Sequence, residues 1–130
     1  MNQKIDAHNN PKVCVLLSTY NGEKFLKEQL DSLIDQEGIE LQVLCRDDGS
    51  KDRTLDILEE YQKKDGRISY YKGENLGPAQ SFFDLIMKSP DADYYAFCDQ
   101  DDVWDKDKLK IAVNMLAVED TSKPNMYYSN

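Results

Sequence analysis

Residues 13–22 read VCVLLSTYNG and decide the fold class of this chain. Their first part, Val13 to Leu17, is a continuous apolar run that contains β-branched residues, which is typical of a strand buried on both faces of a parallel sheet, and it predicts a strand over Val13–Thr19. The strand stops at Tyr20-Asn21-Gly22, and from Glu23 to Gly38 apolar residues recur at helical spacing. A buried strand followed directly by an amphipathic helix predicts a β–α unit.

The same alternation continues along the chain. Further strands are predicted at Leu41–Cys45, Ile68–Lys72, Tyr94–Cys98 and Met126–Ser129, and helical patterns lie between them. In the helix after the third strand, the residues predicted to face inward are Phe82, Phe83, Ile86 and Met87. We therefore expect an α/β fold, a mostly parallel sheet with helices on both faces in a Rossmann-like three-layer sandwich. Residues 1–12 are expected to form a flexible N-terminal arm, and residues 13–130 a single domain.

Composition narrows the class of protein. The chain has 130 residues and a formal net charge of −9, from 25 acidic and 16 basic residues. This charge argues against nucleic acid as a partner, because such binding depends on Lys and Arg neutralising phosphates. No apolar run approaches the roughly 20 residues of a membrane-spanning helix. Cys14, Cys45 and Cys98 lie inside predicted strands without CxxC spacing, so we expect reduced core thiols and a cytoplasmic location.

Polar residues cluster where the predicted strands end. In an open parallel sheet, ligands bind beyond the carboxyl ends of the strands. The four segments found there are Thr19-Tyr20-Asn21-Gly22, Asp47-Asp48-Gly49-Ser50, Asn75-Leu76-Gly77 and Asp99-Gln100-Asp101-Asp102. Together they predict one ligand site along this edge.

The run Asp99–Asp102 places three carboxylates within four residues after an apolar strand. Their mutual repulsion is costly unless a cation or solvent relieves it. Carboxylate oxygens suit Mg²⁺ or Mn²⁺, which complete their coordination with water and substrate phosphates. The run therefore predicts a diphosphate site, and the alternative is a solvated acidic turn that caps the next helix.

The other segments carry weaker signals. A carboxylate of Asp47 or Asp48 is able to accept hydrogen bonds from a pyrimidine N–H or from ribose hydroxyls. The alternative is structural, because Asp-Gly-Ser is common in turns and Asp52 is a candidate cap for the next helix. The Tyr20 ring is able to pack on a nucleotide base, and the alternative is that it lies at the rim of the hydrophobic core. Helix-start geometry alone also explains Gly77, and Trp104 suits either a sugar pocket or packing on the sheet.

With these segments in order, the chain resembles the family 2 glycosyltransferases of GT-A fold, in particular rhamnosyltransferase-like members that build surface polysaccharides. The stretches that carry the resemblance are VLLSTYNG at 15–22, RDDGSKD at 46–52, NLG at 75–77 and FCDQDDVW at 97–104. The resemblance makes Asp99-Gln100-Asp101 the DXD motif of the family. The expected nucleotide-binding residues are Thr19, Tyr20, Asn21, Asp47, Asp48, Asn75, Gly77, Asp99 and Gln100, and the expected metal ligands are Asp99 and Asp101, with Asp101 as the direct one.

The resemblance also implies a reaction. The donor would be a UDP- or dTDP-linked sugar, the acceptor a saccharide or lipid-linked hydroxyl, and the transfer would invert the anomeric carbon. Mg²⁺ or Mn²⁺ would act as the Lewis acid. The family takes its catalytic base from an aspartate in the acceptor-binding half, which is expected beyond Asn130. We therefore expect the chain to be the donor-binding part of a longer enzyme and inactive alone.

The residues after the first strand also bear on three other classes of protein. A nucleotidyltransferase needs a glycine-rich basic loop there, and a haloacid-dehalogenase-like phosphatase needs a nucleophilic aspartate, whereas this chain has Thr19-Tyr20. A non-catalytic, receiver-like module that binds Mg²⁺ remains the alternative. It would carry its acidic pair after the first strand and a lysine after the last one.

Overall fold

The structure is a computed structural model, and it describes residues 10–117 and 125–129. Strands and helices alternate within these two ranges: β1 (Lys12–Thr19), α1 (Leu26–Ile34), β2 (Glu40–Asp47), α2 (Thr54–Lys64), β3 (Ile68–Lys72), α3 (Pro78–Lys88), β4 (Tyr94–Cys98), α4 (Lys108–Ala117) and β5 (Asn125–Ser129). Residues 1–9 of the predicted arm lie outside the described residues, and Lys12 already belongs to β1. Within the described ranges, no helix has the length and hydropathy needed to cross a membrane.

The strands form one sheet in the order β3-β2-β1-β4-β5, with every neighbouring pair parallel. β1 lies at the centre, where Thr19 pairs with Asp47 of β2 and Leu17 pairs with Cys98 of β4. All carboxyl ends therefore meet at the same edge, as the sequence predicts. The α/β prediction is confirmed.

The centre of the sheet is buried on both faces. Val15, Leu16 and Leu17 of β1 are each 0% exposed. On one face, Val15 and Leu17 share a core with buried residues of α1 and α2, and with Leu109 and Val113 of α4. On the other face, Cys14 and Leu16 pack with Leu85 of α3. Among the described residues, helices thus cover both faces: α1, α2 and α4 lie on one side, and α3 lies on the other.

The inward face of α3 differs from the prediction. Phe83, Ile86 and Met87 are 61%, 38% and 69% exposed, whereas Ser81 and Leu85 are fully buried. Only Phe82 was assigned correctly, and its ring stacks on Phe97 with centroids 5.1 Å apart. The assignment failed because the inward position one turn before Leu85 is a serine, whose hydroxyl bonds to Ser18 and to Arg46.

The three cysteines are buried and free, which confirms the prediction of core thiols. Burial raises the pKa of Cys14 to about 12 and the pKa of Cys98 to about 12, and it raises the pKa of Cys45 as well. Because the thiolate is the reactive species, we expect all three thiols to resist a disulfide reagent at pH 8 in the native protein. They should react promptly in concentrated urea. A thiol of the native protein that reacts rapidly with the disulfide reagent would contradict the core packing.

Candidate functional site

A cavity of about 440 Å³ opens at the carboxyl edge of the sheet, beside β1, β2 and β4. Its volume lies within the range of about 300–1,000 Å³ that is usual for small-molecule sites. The cavity is lined by Ser18, Thr19, Tyr20, Asp48, Asn75, Gly77, Pro78, Phe82, Asp99 and Gln100. All the residues predicted to bind a nucleotide are therefore brought together here, except Asn21 and Asp47.

Asp47 lies beneath the cavity and holds two loops together. It is fully buried, and its Oδ1 accepts hydrogen bonds from Thr19 Oγ1 at 2.9 Å and Ser50 Oγ at 2.6 Å. Its Oδ2 accepts from the Ser50 N–H at 2.8 Å. Both oxygens are thus engaged by the protein, so Asp47 joins the end of β1 to the turn after β2.

Asp48 is the carboxylate of this pair that faces the cavity. Its Oδ1 accepts from Arg46 Nη1 at 2.6 Å and from the Leu76 N–H at 2.9 Å, and its Oδ2 accepts from the Gly77 N–H at 3.0 Å. A carboxylate has about four acceptor positions. Asp48 therefore orders the loop before α3 and keeps acceptor capacity for a ligand.

Arg46 supports this wall from below, and the sequence analysis gave it no role. Its guanidinium is buried and donates to Asp48, to Asp84 at 3.2 Å, to Ser81 at 3.2 Å and to the Glu74 carbonyl at 3.1 Å. Burial alone would lower the pKa of Arg46, but its hydrogen bonds and charge attraction to both aspartates outweigh burial and raise that pKa. Arg46 therefore stays charged. The available signal was an arginine directly after the apolar residues Val43-Leu44-Cys45 and directly before two aspartates.

Gly73 makes room for this arginine. A Cβ atom at Gly73 would overlap the guanidinium of Arg46. The glycine therefore lets the backbone after β3 pass close to the buried charge.

The loop after β1 joins the other loops of the edge. Asn21 has φ 48°, a left-handed conformation that asparagine tolerates, and its Oδ1 accepts from the Lys51 N–H at 2.8 Å. Its own N–H donates to Ser50 Oγ at 2.8 Å. Tyr20 is 44% exposed beside the cavity, and its N–H donates to Gln100 Oε1 at 2.7 Å. Asn21 thus orders the rim, while Tyr20 lines the cavity.

The acidic run forms the opposite wall. Asp99 and Gln100 line the cavity, whereas Asp101 is exposed just outside it with φ 77°. Asp102 Oδ2 is buried and has no hydrogen-bond partner among the described residues, which suits a loop that takes up a cation. In the described part of the chain, no three His, Cys, Asp or Glu side chains form a metal-binding group by themselves. A cation bound here would therefore need oxygens from water and from a ligand, as Mg²⁺ commonly does.

Two weaker predictions were also resolved by the structure. Trp104 is 6% exposed and belongs to the main core, so it packs on the sheet and does not line the cavity. Asp52 lies one residue before Arg53, which takes the N-cap position of α2, but Asp52 Oδ1 accepts from the Thr54 N–H at 2.9 Å and so satisfies a donor at the start of the helix.

Comparison with known proteins identifies the family of the chain. Residues 14–130 match the family described as Glycosyl transferase family 2. A dTDP-rhamnosyl transferase of Shigella flexneri is 37% identical, over 88% of this chain and 40% of its own length. The crystal structure of residues 1–349 of TarS from Staphylococcus aureus in complex with UDP is 30% identical, with a TM-score of 0.67 over 82% of this chain and 32% of that one.

A more distant structure shares the fold alone. It is a mannosyltransferase from Pyrobaculum calidifontis in complex with GDP-Man and Mn²⁺, 24% identical with a TM-score of 0.73, over 86% of this chain and 34% of that chain. The chain spans 40% of the length of its Shigella relative and 40% of a Bacillus subtilis teichuronic acid glycosyltransferase. Because the family match runs from β1 to the end of the chain and the sheet agrees with the solved structures, this chain belongs to glycosyl transferase family 2.

Proposed function

We propose that this chain forms the donor-binding part of an inverting glycosyltransferase that acts in surface polysaccharide biosynthesis. The donor is a UDP- or dTDP-linked sugar, and the acceptor is a hydroxyl of a saccharide or a lipid-linked saccharide. One observation carries the proposal: a single cavity has Asp48 on one wall and Asp99 with Gln100 on the other. The names of the relatives, a dTDP-rhamnosyl transferase and a UDP complex, support a pyrimidine nucleotide.

The wall formed by Asp48 suits the base. Its remaining acceptor capacity matches the single imide N–H of uracil or thymine, and Thr19 and Tyr20 lie beside it. The exposed ring of Tyr20 offers a surface on which a base or ribose can pack. Asp47 contributes by holding Thr19 in place.

The wall formed by the acidic run suits the diphosphate. We propose that Asp99 and Asp101 hold Mg²⁺ or Mn²⁺, which is needed because both the ligand and this wall are anionic. When bound, the cation neutralises charge that grows on the departing diphosphate. Gln100 Oε1 accepts from the Tyr20 N–H. Its side-chain amide donates to no other described residue, so its N–H groups are available to a phosphate.

Transfer to an acceptor is a property that we propose for the whole protein. The chain spans 40% of the length of the Shigella and Bacillus relatives and 18% of the length of the Staphylococcus aureus relative, so donor binding is the activity proposed for these residues alone. The base that activates the acceptor hydroxyl is proposed to lie outside them. The three free thiols support a reducing, cytoplasmic location.

Thermal unfolding with nucleotide and metal tests the donor site. At a ligand concentration about 100 times Kd, UDP or dTDP with Mn²⁺ should raise the Tm by roughly 5–10 °C. Asp101→Ala should remove the metal-dependent part of the increase, because it deletes a proposed ligand of the cation. The matched control is Asp56→Ala, on a side chain that is 68% exposed on α2, and it should keep the full increase.

Two outcomes would contradict the proposal. No increase in Tm with any nucleotide and either metal would rule out a donor site in this chain. An increase with Mg²⁺ alone that nucleotides do not change would instead support the receiver-like module.

A further inference from the structure

Helix α1 buries three polar side chains on the face it turns toward the sheet. Gln29, Ser32 and Gln36 are 0%, 8% and 7% exposed, and their spacing places them along one side of the helix and its C-terminal extension. Apolar residues at these positions would avoid the cost of burying amides and a hydroxyl. Ser32 Oγ donates to the Gln29 carbonyl and Gln36 Nε2 to the Ser32 carbonyl, and the buried Gln29 Oε1 has no partner among the described residues. The remaining partners of these side chains lie in a distant part of the chain.

One distant partner is Cys98 Sγ in β4, which accepts from Gln29 Nε2 at 3.2 Å. The others are backbone atoms of residues 99–109, which we call the anchored segment. Gln29 Nε2 donates to the Asp99 carbonyl at 2.6 Å, and Ser32 Oγ accepts from the Trp104 N–H at 3.1 Å. Gln36 Nε2 donates to the Asp105 carbonyl at 2.6 Å, while Gln36 Oε1 accepts from the Leu109 N–H at 3.0 Å. The backbone adds a fifth bond, from the Glu37 N–H to the Lys106 carbonyl at 2.8 Å.

These bonds use main-chain atoms of the anchored segment. They fix the path of its backbone, and the carboxylates of Asp99 and Asp101 take no part in them. Asp101 holds a left-handed φ of 77°, which is uncommon for a residue other than glycine and persists only where the surrounding structure enforces it. Bonds on both sides of Asp101, at Asp99 and at Trp104, supply that constraint.

We propose that Gln29 and Gln36 are positioning residues for the cation of the donor site. By holding the backbone of the anchored segment, they set the separation of Asp99 and Asp101, although neither glutamine lines the cavity. Cation binding is sensitive to such support, since Mg²⁺ requires near-ideal octahedral geometry and since groups that orient metal ligands strongly affect affinity. This inference rests on the proposed donor site.

The test separates metal-dependent from metal-independent nucleotide binding. Gln29→Met and Gln36→Met keep side-chain length but remove the bonds to the anchored segment. Calorimetry with UDP and with dTDP, each with and without Mn²⁺, is performed at a temperature where circular dichroism shows folded protein. We expect Kd without metal to stay near the wild-type value, because the wall at Asp48 is untouched. The increase in affinity that Mn²⁺ produces should fall by about tenfold.

The control is Gln62→Met, the same substitution at an exposed position on α2, and it should keep the full effect of Mn²⁺. If wild-type protein binds no nucleotide, the proposed function fails. If wild type shows the Mn²⁺ effect and both methionine variants show it equally, the positioning role is overturned. Should one methionine variant not fold, the other decides the test, and an unchanged Mn²⁺ effect in that folded variant also overturns the proposal.

Discussion

Replacing Arg46 with methionine is expected to lower the free energy of unfolding by about 3–5 kcal/mol. The guanidinium is buried against Asp48 at 2.6 Å, and Asp84 accepts from its Nε at 3.2 Å. Methionine fills a similar volume but leaves the buried carboxylate of Asp48 without its positive partner. Removing one member of a buried ion pair is costly for this reason, whatever the net contribution of the intact pair.

Urea unfolding measures this loss. The matched control is Arg53→Met, because Arg53 pairs with Asp56 at the surface, where the two side chains are 75% and 68% exposed. That variant should lose no more than about 1 kcal/mol. Adding Asp48→Asn to Arg46→Met should recover part of the loss by removing the uncompensated charge. A loss below about 1 kcal/mol for Arg46→Met would contradict the buried network.

Leu85→Ala should lower the free energy of unfolding by about 2–5 kcal/mol. Leu85 is 0% exposed and is the fully buried apolar side chain with which α3 meets Cys14 and Leu16 of β1. Alanine leaves a cavity between the helix and the sheet, and α3 is the helix on that face. Little nearby structure can therefore collapse into the space.

The same measurement tests the orientation of α3. Met87→Ala is the control, since Met87 lies half a turn away and is 69% exposed, and its loss should stay within about 0.5 kcal/mol. The sequence pattern alone predicted the opposite order, with Met87 inward. A larger loss at Met87 than at Leu85 would support that pattern and contradict the structure.

The sequence by itself determined the order of the elements and the edge on which the site lies. The unbroken apolar run Val13–Leu17 required a strand covered on both faces, and β–α alternation required parallel strands. Parallel strands end at one edge, so the positions of Thr19, Asp48 and Asp99 followed from local patterns. The motifs in those loops also carried the resemblance that the family match confirms.

Only the tertiary structure decided what each polar residue does. Successive residues leaving a strand point in opposite directions, and the register with β1 turns Asp47 under Thr19 and Asp48 toward the cavity. Arg46, Ser81, Gln29 and Gln36 are buried, and each has a hydrogen-bond partner that lies 28 to 73 residues away in the sequence, in addition to near ones such as Asp48 for Arg46. The local pattern of polar and apolar residues predicts that such polar residues are exposed, because it contains no information about distant hydrogen-bond partners. The alternation of strands and helices in the sequence therefore predicts where the site lies. The positions of the side chains that line and support it depend on hydrogen bonds between buried polar groups that are far apart in the sequence.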